Sequence, residues 1–148
     1  WFKYYLKILL MDNTDCVFCR IIKGEIPSFK VYEDDNYLAF FDLSQFTSGH
    51  TLIIPKKHFT FVWDVDDIEG YYNVVKKIAL HYKNELGFKY TDSMVFGRGV
   101  PHAHVHVLPH NGDDKDWNQA LKGLEYLHND SRKLTPEQGK LLAEKFKL

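Results

Sequence analysis

Apolar side chains at Ile68, Tyr71, Tyr72, Val75, Ile78, Ala79, Tyr82 and Leu86 recur near a 3.6-residue period, which predicts one long amphipathic helix. Acidic residues lead this stretch, lysines follow, and Gly87 stands where a stop is wanted. Elsewhere the pattern shortens to that of strands. In "FKVYEDDNYLAFFD", β-branched and aromatic residues flank Asp34, Asp35 and Asn36, which predicts a hairpin. "GHTLIIPKKH" reads as a short apolar strand that Pro55 stops, because proline removes a ladder donor. "SMVFGRGVPHAHVHVLP" reads as two further strands interrupted by Gly97, Gly99 and Pro101. A polar loop follows, then a short helix over residues 117–127 and a last helix opened by "LTPEQ". There Thr135 is the N-cap, Pro136 the first helical residue and Gln138 the partner three residues on. This order predicts an α+β fold, mostly antiparallel sheet with one long helix and C-terminal helices.

Length and composition narrow the classes of function. The chain has 148 residues, 45% hydrophobic and 16% aromatic, enough for a single core. Nineteen basic against twenty acidic residues leave a net charge of −1. That excludes a global field for nucleic acid or an anionic membrane, so an anionic ligand has to be held locally. No stretch approaches the ~18 apolar residues of a membrane span. The opening "WFKYYLKILL" is too short an apolar run for a signal peptide and lacks a small-residue cleavage site. Because Met11 reads as a start, residues 1–12 are expected to be an N-terminal extension foreign to the natural chain, with a surface-lying amphipathic helix as the other reading. Residues 13–148 are expected to form one domain, with 113–148 a helical tail. Two cysteines are too few for a disulfide framework and fit a reducing, cytoplasmic setting.

In "HAHVHVLPH", His102, His104 and His106 occupy every second position. On a strand they share one face while Ala103, Val105 and Val107 share the other, at ~6.6 Å per two residues. Three readings compete. The row is a solvated edge face, a tri-histidine zinc site with an open position, or a phosphate-handling site in which one imidazole attacks and its neighbours bind or protonate oxygens. Cys16 and Cys19, in "CVFC", likewise admit a redox motif, a pair of buried thiols, or half of a closed zinc site completed by two imidazoles. Nothing parallel-stranded surrounds them to favour the redox motif.

The run from His102 to Leu108 resembles the signature of the histidine triad (HIT) family. "CVFCRIIKGEIPSFKVYEDDNYLAFFDLS" and "GHTLIIPKKH" resemble the family's N-terminal half and middle strand, so the likeness spans roughly Cys16 to Pro109. The resemblance implies a HIT-like fold, a homodimer, and a nucleotide-binding enzyme that splits a bond at the α-phosphate. It makes His104 the nucleophile that forms a nucleotidyl-histidine intermediate, His106 the phosphate contact, and His50 the fourth histidine beside the triad. By the same resemblance Cys16, Cys19, His58 and His102 hold a structural zinc, Asp42 binds the ribose, and Val17, Phe18, Ile21, Phe40 and Leu43 enclose a purine. The chain departs from the family pattern at "FGRGVPH", where Arg98 and Gly99 stand in place of an amide-bearing run. Arg98 supplies charge to a phosphate, or Gly99 a backbone N–H, in this reading. It departs again after Pro109, where relatives often carry arginine and this chain has His110. His81, His110 and His128 have no partner in the sequence and are expected to be solvated.

The resulting expectation is a hydrolase or nucleotidyl transferase acting on purine nucleotide phosphoramidates or dinucleoside polyphosphates. A non-catalytic nucleotide-binding module and a zinc-dependent hydrolase built on the histidine row are its alternatives.

Overall fold

The alternation predicted around Asp34–Asn36 is realised as a hairpin in which β1 (Lys30–Glu33) pairs antiparallel with β2 (Tyr37–Phe41). Asp34 closes its turn by accepting from the backbone N–H groups of Asn36 and Tyr37 at 2.8 and 2.7 Å. The computed structural model describes residues 16–97, 99–113, 115, 117–119 and 134–147. A short helix α1 (Val17–Ile22) precedes the hairpin. After it come β3 (Thr51–Pro55), a 3-10 turn at Val62–Asp64, α2 (Ile68–Asn84), β4 (Tyr90–Met94), β5 (Val105–His110) and α3 (Pro136–Phe146). The five strands form one sheet in the order β1-β2-β3-β5-β4, with antiparallel neighbours throughout. An α+β fold with a mostly antiparallel sheet and one long helix is what the chain adopts.

Each face of the sheet builds its own core. On one side Tyr37, Ala39, Ile53, Val105 and Val107 pack against Tyr71, Val74, Val75, Ile78 and Tyr82 of α2. On the other, Leu38, Phe40, Leu52 and Ile54 meet Cys16, Phe18, Cys19 and Ile21 of the α1 region. The period-2 rule sends neighbours along β2 and β3 to opposite cores. α2 begins at Asp67, whose side chain caps the N–H of Gly70, and it ends three residues short of Gly87, whose φ of +77° only glycine adopts without strain. The predicted Leu86 is exposed and lies beyond the helix, while Val74 joins its buried face. Thr135 and Gln138 form the reciprocal cap predicted for α3, with Pro136 at its first position. In the predicted short helix over 117–127, residues 117–119 are helical and the remainder lies outside the described residues. The expected extension over residues 1–12 also lies outside them.

One prediction needs correction. The three histidines do not share a strand, because β5 starts only at Val105 and His102 and His104 precede it. The last β3–β5 pair is Ile53 with Val105. Continuing the register would set Ala103 opposite Pro55, which has no N–H to offer. Ala103 instead donates its N–H to the carbonyl of Phe59 at 2.6 Å, in the segment that follows β3. The facing of the side chains survives this change, since Ala103 and Val105 enter the α2 core and the histidines turn to the α1 side.

Candidate active site and metal centre

Where β5 meets the end of β3, the histidines separate into three environments. His102, fully buried, turns toward α1. Its Nε2–H donates to the carbonyl of Pro55 at 2.8 Å, which leaves Nδ1 bare. That nitrogen lies 3.4 Å from Sγ of Cys16 and 3.5 Å from Sγ of Cys19, and Nδ1 of His58 lies 3.3 Å from Sγ of Cys19. Cys16 sits at the N-cap of α1 without capping it, so its thiol is available to this cluster. The four donor atoms fall within 4.8 Å of one another. A tetrahedral zinc with Zn–S of about 2.3 Å and Zn–N of about 2.05 Å places sulfur and nitrogen about 3.5 Å apart, which matches these separations. The bond from His102 to Pro55 is the outer contact that fixes a metal-ligating imidazole. Burial lowers the pKa of both imidazoles, that of His102 to about 4, so both offer lone pairs at neutral pH. Burial also raises the Cys19 thiol to about 11, aided by its neighbour Cys16, and a cation is what would make it a thiolate. The residues present fit zinc.

His104 lies on the same side but outside the thiol cluster. Its Nδ1–H donates to the carbonyl of His102 at 2.7 Å, so Nε2 carries the free lone pair. The ring packs edge-on to Phe18, with centroids 5.5 Å apart, and lies 5.1 Å from His106.

His106, on β5 opposite Leu52 of β3 and Met94 of β4, points its Nδ1 at Nε2 of His50, 2.9 Å away. His50 is fully buried, with Nδ1 3.1 Å from the carbonyl of Ser44 and its Nε2 3.8 Å from Oδ2 of Asp42. Burial, reinforced by His104 and His50 and opposed by Asp42, takes the pKa of His106 down to about 4. Burial also lowers His50, against the pull of the Ser44 carbonyl and the Asp42 carboxylate. Both rings are therefore neutral. Asp42 keeps Oδ1 on the N–H of Ser44 at 2.7 Å.

Of the expected site residues, the fold gathers Asp42, His50, His104 and His106 into one centre and Cys16, Cys19, His58 and His102 into another. The three triad histidines do not converge on a single point: among the described residues His102 belongs to the thiol cluster and His106 to the cluster with His50 and Asp42. A tri-histidine metal centre is thus not built. Phe18, Ile21 and Phe40 are packed as core beside the site, whereas Val17 is 37% and Leu43 85% exposed. Gly99 adopts a left-handed turn, φ +85°, with open space around its α-carbon, and Arg98 lies outside the described residues.

Three contributions escaped the sequence reading. Phe46 stacks on His50 at 5.0 Å, and Phe96 stands edge-on to His106 at 5.2 Å, both from loops with no periodic pattern to mark them. Gln45 staples the loop between Asp42 and His50, its amide donating to the carbonyls of both while its Oε1 accepts from Gly49 and His50. Its polar side chain between two site residues was the only available signal. The expectation that His110 is solvated fails: the ring is buried, donates from Nε2 to Asp92 at 3.1 Å, and stacks on Trp117.

Comparison with known proteins identifies the family. The family model described as HIT domain matches residues 23–113. Protein hit of Bacillus subtilis is 37% identical over 138 residues, covering 87% of this chain and 95% of that protein. Adenylylsulfatase HINT3 of Arabidopsis thaliana is 32% identical over 138 residues, 88% of this chain and 68% of its own length. The crystal structure of a Zn-bound histidine triad family protein from Mycobacterium smegmatis superposes with a TM-score of 0.63 at 31% identity. It covers 79% of this chain and 100% of that one.

Proposed function

The chain belongs to the HIT family, and on that premise we propose that it is a hydrolase or nucleotidyl transferase acting at the α-phosphate of purine nucleotides. The carrying observation is the bond from Nδ1–H of His104 to the His102 carbonyl, which orients the ring and leaves Nε2 free to attack. In this reading Nε2 attacks phosphorus, the bond to the leaving group breaks, and a nucleotidyl-histidine forms. Water then attacks the same phosphorus, releasing the nucleotide monophosphate and restoring His104. His106, oriented by His50, binds the phosphoryl oxygens and supplies the leaving group's proton. Asp42 accepts from the ribose hydroxyls, and the purine lies toward Val17, Phe18, Ile21, Phe40 and Leu43. Phosphoramidates and dinucleoside polyphosphates are the favoured substrates. The similarity to an adenylylsulfatase supports the class, since cleavage of an adenylyl sulfate also occurs at an α-phosphate.

Zinc is proposed on Cys16, Cys19, His58 and His102, supported by the donor spacing and by the Zn-bound relative. Its contribution is structural, tying α1 to the segment that carries His104. A homodimer is the proposed assembly.

The test is to incubate the protein with adenosine and guanosine phosphoramidates, dinucleoside polyphosphates and adenylyl sulfate, quench in base, and weigh the intact chain. A nucleotidyl adduct lost in His104→Asn is expected. AMP binding with neither adduct nor turnover would replace the enzyme by a nucleotide-binding module.

A further inference from the structure

The hydrogens of the His50–His106 couple can be assigned from its partners. The Ser44 carbonyl, 3.1 Å from Nδ1 of His50, can only accept, so that nitrogen carries a hydrogen. The amide N–H of Phe46 is also directed at this nitrogen, but from 3.4 Å, and the shorter contact to the carbonyl decides the tautomer. A neutral His50 then presents only a lone pair at Nε2, and the hydrogen in the 2.9 Å contact comes from Nδ1 of His106. A neutral His106 has one ring hydrogen, spent in that contact. Its Nε2, the nitrogen left for a ligand, is a bare acceptor. A phosphate oxygen is an acceptor too, and two acceptors repel.

We infer that a nucleotide phosphate enters this site together with one proton, which turns the neutral His50–His106 couple into a cation with an N–H on Nε2 of His106. This rests on the phosphate-binding reading above. The proton is shared between rings whose centroids lie 5.1 Å apart, so one uptake both removes the repulsion and adds a positive charge. Among the described residues, the titratable groups facing the couple are Asp42, on the His50 side, and His104, on the His106 side. The Asp42 carboxylate favours the cation. His104 sends its hydrogen to the His102 carbonyl and offers none. Phe46 and Phe96 cover the remaining flanks with apolar rings. Burial keeps both rings neutral until an anion arrives, so the proton has to come from solvent at the moment of binding. His50 is therefore a positioning residue: it dictates which nitrogen of His106 holds the hydrogen.

Isothermal titration of the full chain with AMP at pH 7.5, in buffers of differing ionisation enthalpy, reads this uptake directly. About one proton taken up per AMP is expected, with affinity falling as pH rises further. In His50→Gln the side-chain amide donates to Nδ1 of His106 and frees its hydrogen for Nε2, so AMP should bind with uptake reduced to a small fraction. Nitrogen-15 spectra of the histidine rings give a second, variant-free reading: Nε2 of His106 should be unprotonated in the free protein and protonated with AMP. Binding whose enthalpy is the same in every buffer, or an N–H on that nitrogen before AMP is added, overturns the inference while leaving nucleotide binding intact. Absence of any AMP binding overturns the phosphate reading and this inference with it.

Discussion

The carbonyl oxygen of His102 lies 2.7 Å from Nδ1 of His104, so a residue committed to the thiol cluster fixes, through its backbone, the tautomer of the proposed nucleophile. The thiol–imidazole cluster and the proposed nucleophile are linked by this bond and by Phe18, which packs on both rings. His104→Asn removes the attacking nitrogen and little else of the surroundings. Turnover should fall by roughly 10³-fold or more while AMP affinity changes only a few fold. Near-normal turnover in that variant, measured with a fluorogenic phosphoramidate, would discard the covalent mechanism.

Removing the metal should act on the fold first. Cys16 and Cys19 lie on or beside α1, and His58 and His102 lie beyond the end of β3 and before β5. Without a cation, α1 is held by three thiol–imidazole contacts and the apolar packing of Phe18 and Ile21. Cys16→Ser, or prolonged chelation, should lower bound zinc below stoichiometric and drop the melting temperature on the order of 10 °C. The fraction that stays folded should keep most of its activity. Elemental analysis showing full zinc in Cys16→Ser would reject the ligand set.

Legibility in the sequence followed the range of the interaction. Local periodicity was enough for α2, for the hairpin around Asp34 and for the cap of α3, because helix and turn signals act within a few residues. The facing of the histidines was legible too, although the strand was not: alternation continues through residues 102–104, but whether they pair depends on Pro55, far away in the chain. The Cys16–His102 contact spans 86 positions, so no spacing rule could find it, and only the family resemblance pointed there. The burial of His110 had no such pointer, since its partners come from β4 and from the segment after β5. Apolar positions beside the site stayed ambiguous because packing and ligand contact ask for the same side chains, and Phe18 touches both Phe40 and His104.

Acid should destabilise the protein, assayed without nucleotide, through His106. Its pKa falls to about 4 in the fold, against about 6.5 when the chain is unfolded. Between these values the unfolded chain binds a proton that the folded one refuses. Stability is therefore complete above pH 6.5 and is lost as pH drops toward 4, by at most about 3 kcal/mol from this residue. Metal release acts in the same window, so the comparison is between wild type and His106→Gln. Denaturant midpoints should fall more gently with acid in the variant, and equal slopes would contradict the assignment.

His110 closes the far end of β5 by a different device. Its ring lies between Trp117, parallel at 3.7 Å and 9°, and Tyr90 of β4, at 5.3 Å and 24°. Nε2–H donates to Asp92, also on β4, while Nδ1 is buried with no partner among the described residues. A bare lone pair is the cheaper of the two groups to bury, which is consistent with the hydrogen residing on Nε2. Two interactions are therefore superposed on one ring, and substitutions can separate them. His110→Phe keeps the aromatic stack and loses the bond to Asp92, so it should cost about 1 kcal/mol, as Asp92→Asn should cost less than that. His110→Ala loses both and should cost about 2 kcal/mol or more. In a double-mutant cycle, His110→Ala and Trp117→Ala should couple by about 0.5–1.5 kcal/mol, whereas His110→Phe should leave most of the Trp117 contribution intact. Additive effects of His110→Ala and Trp117→Ala on the unfolding free energy would show that the stack does not anchor Trp117 to the end of β5.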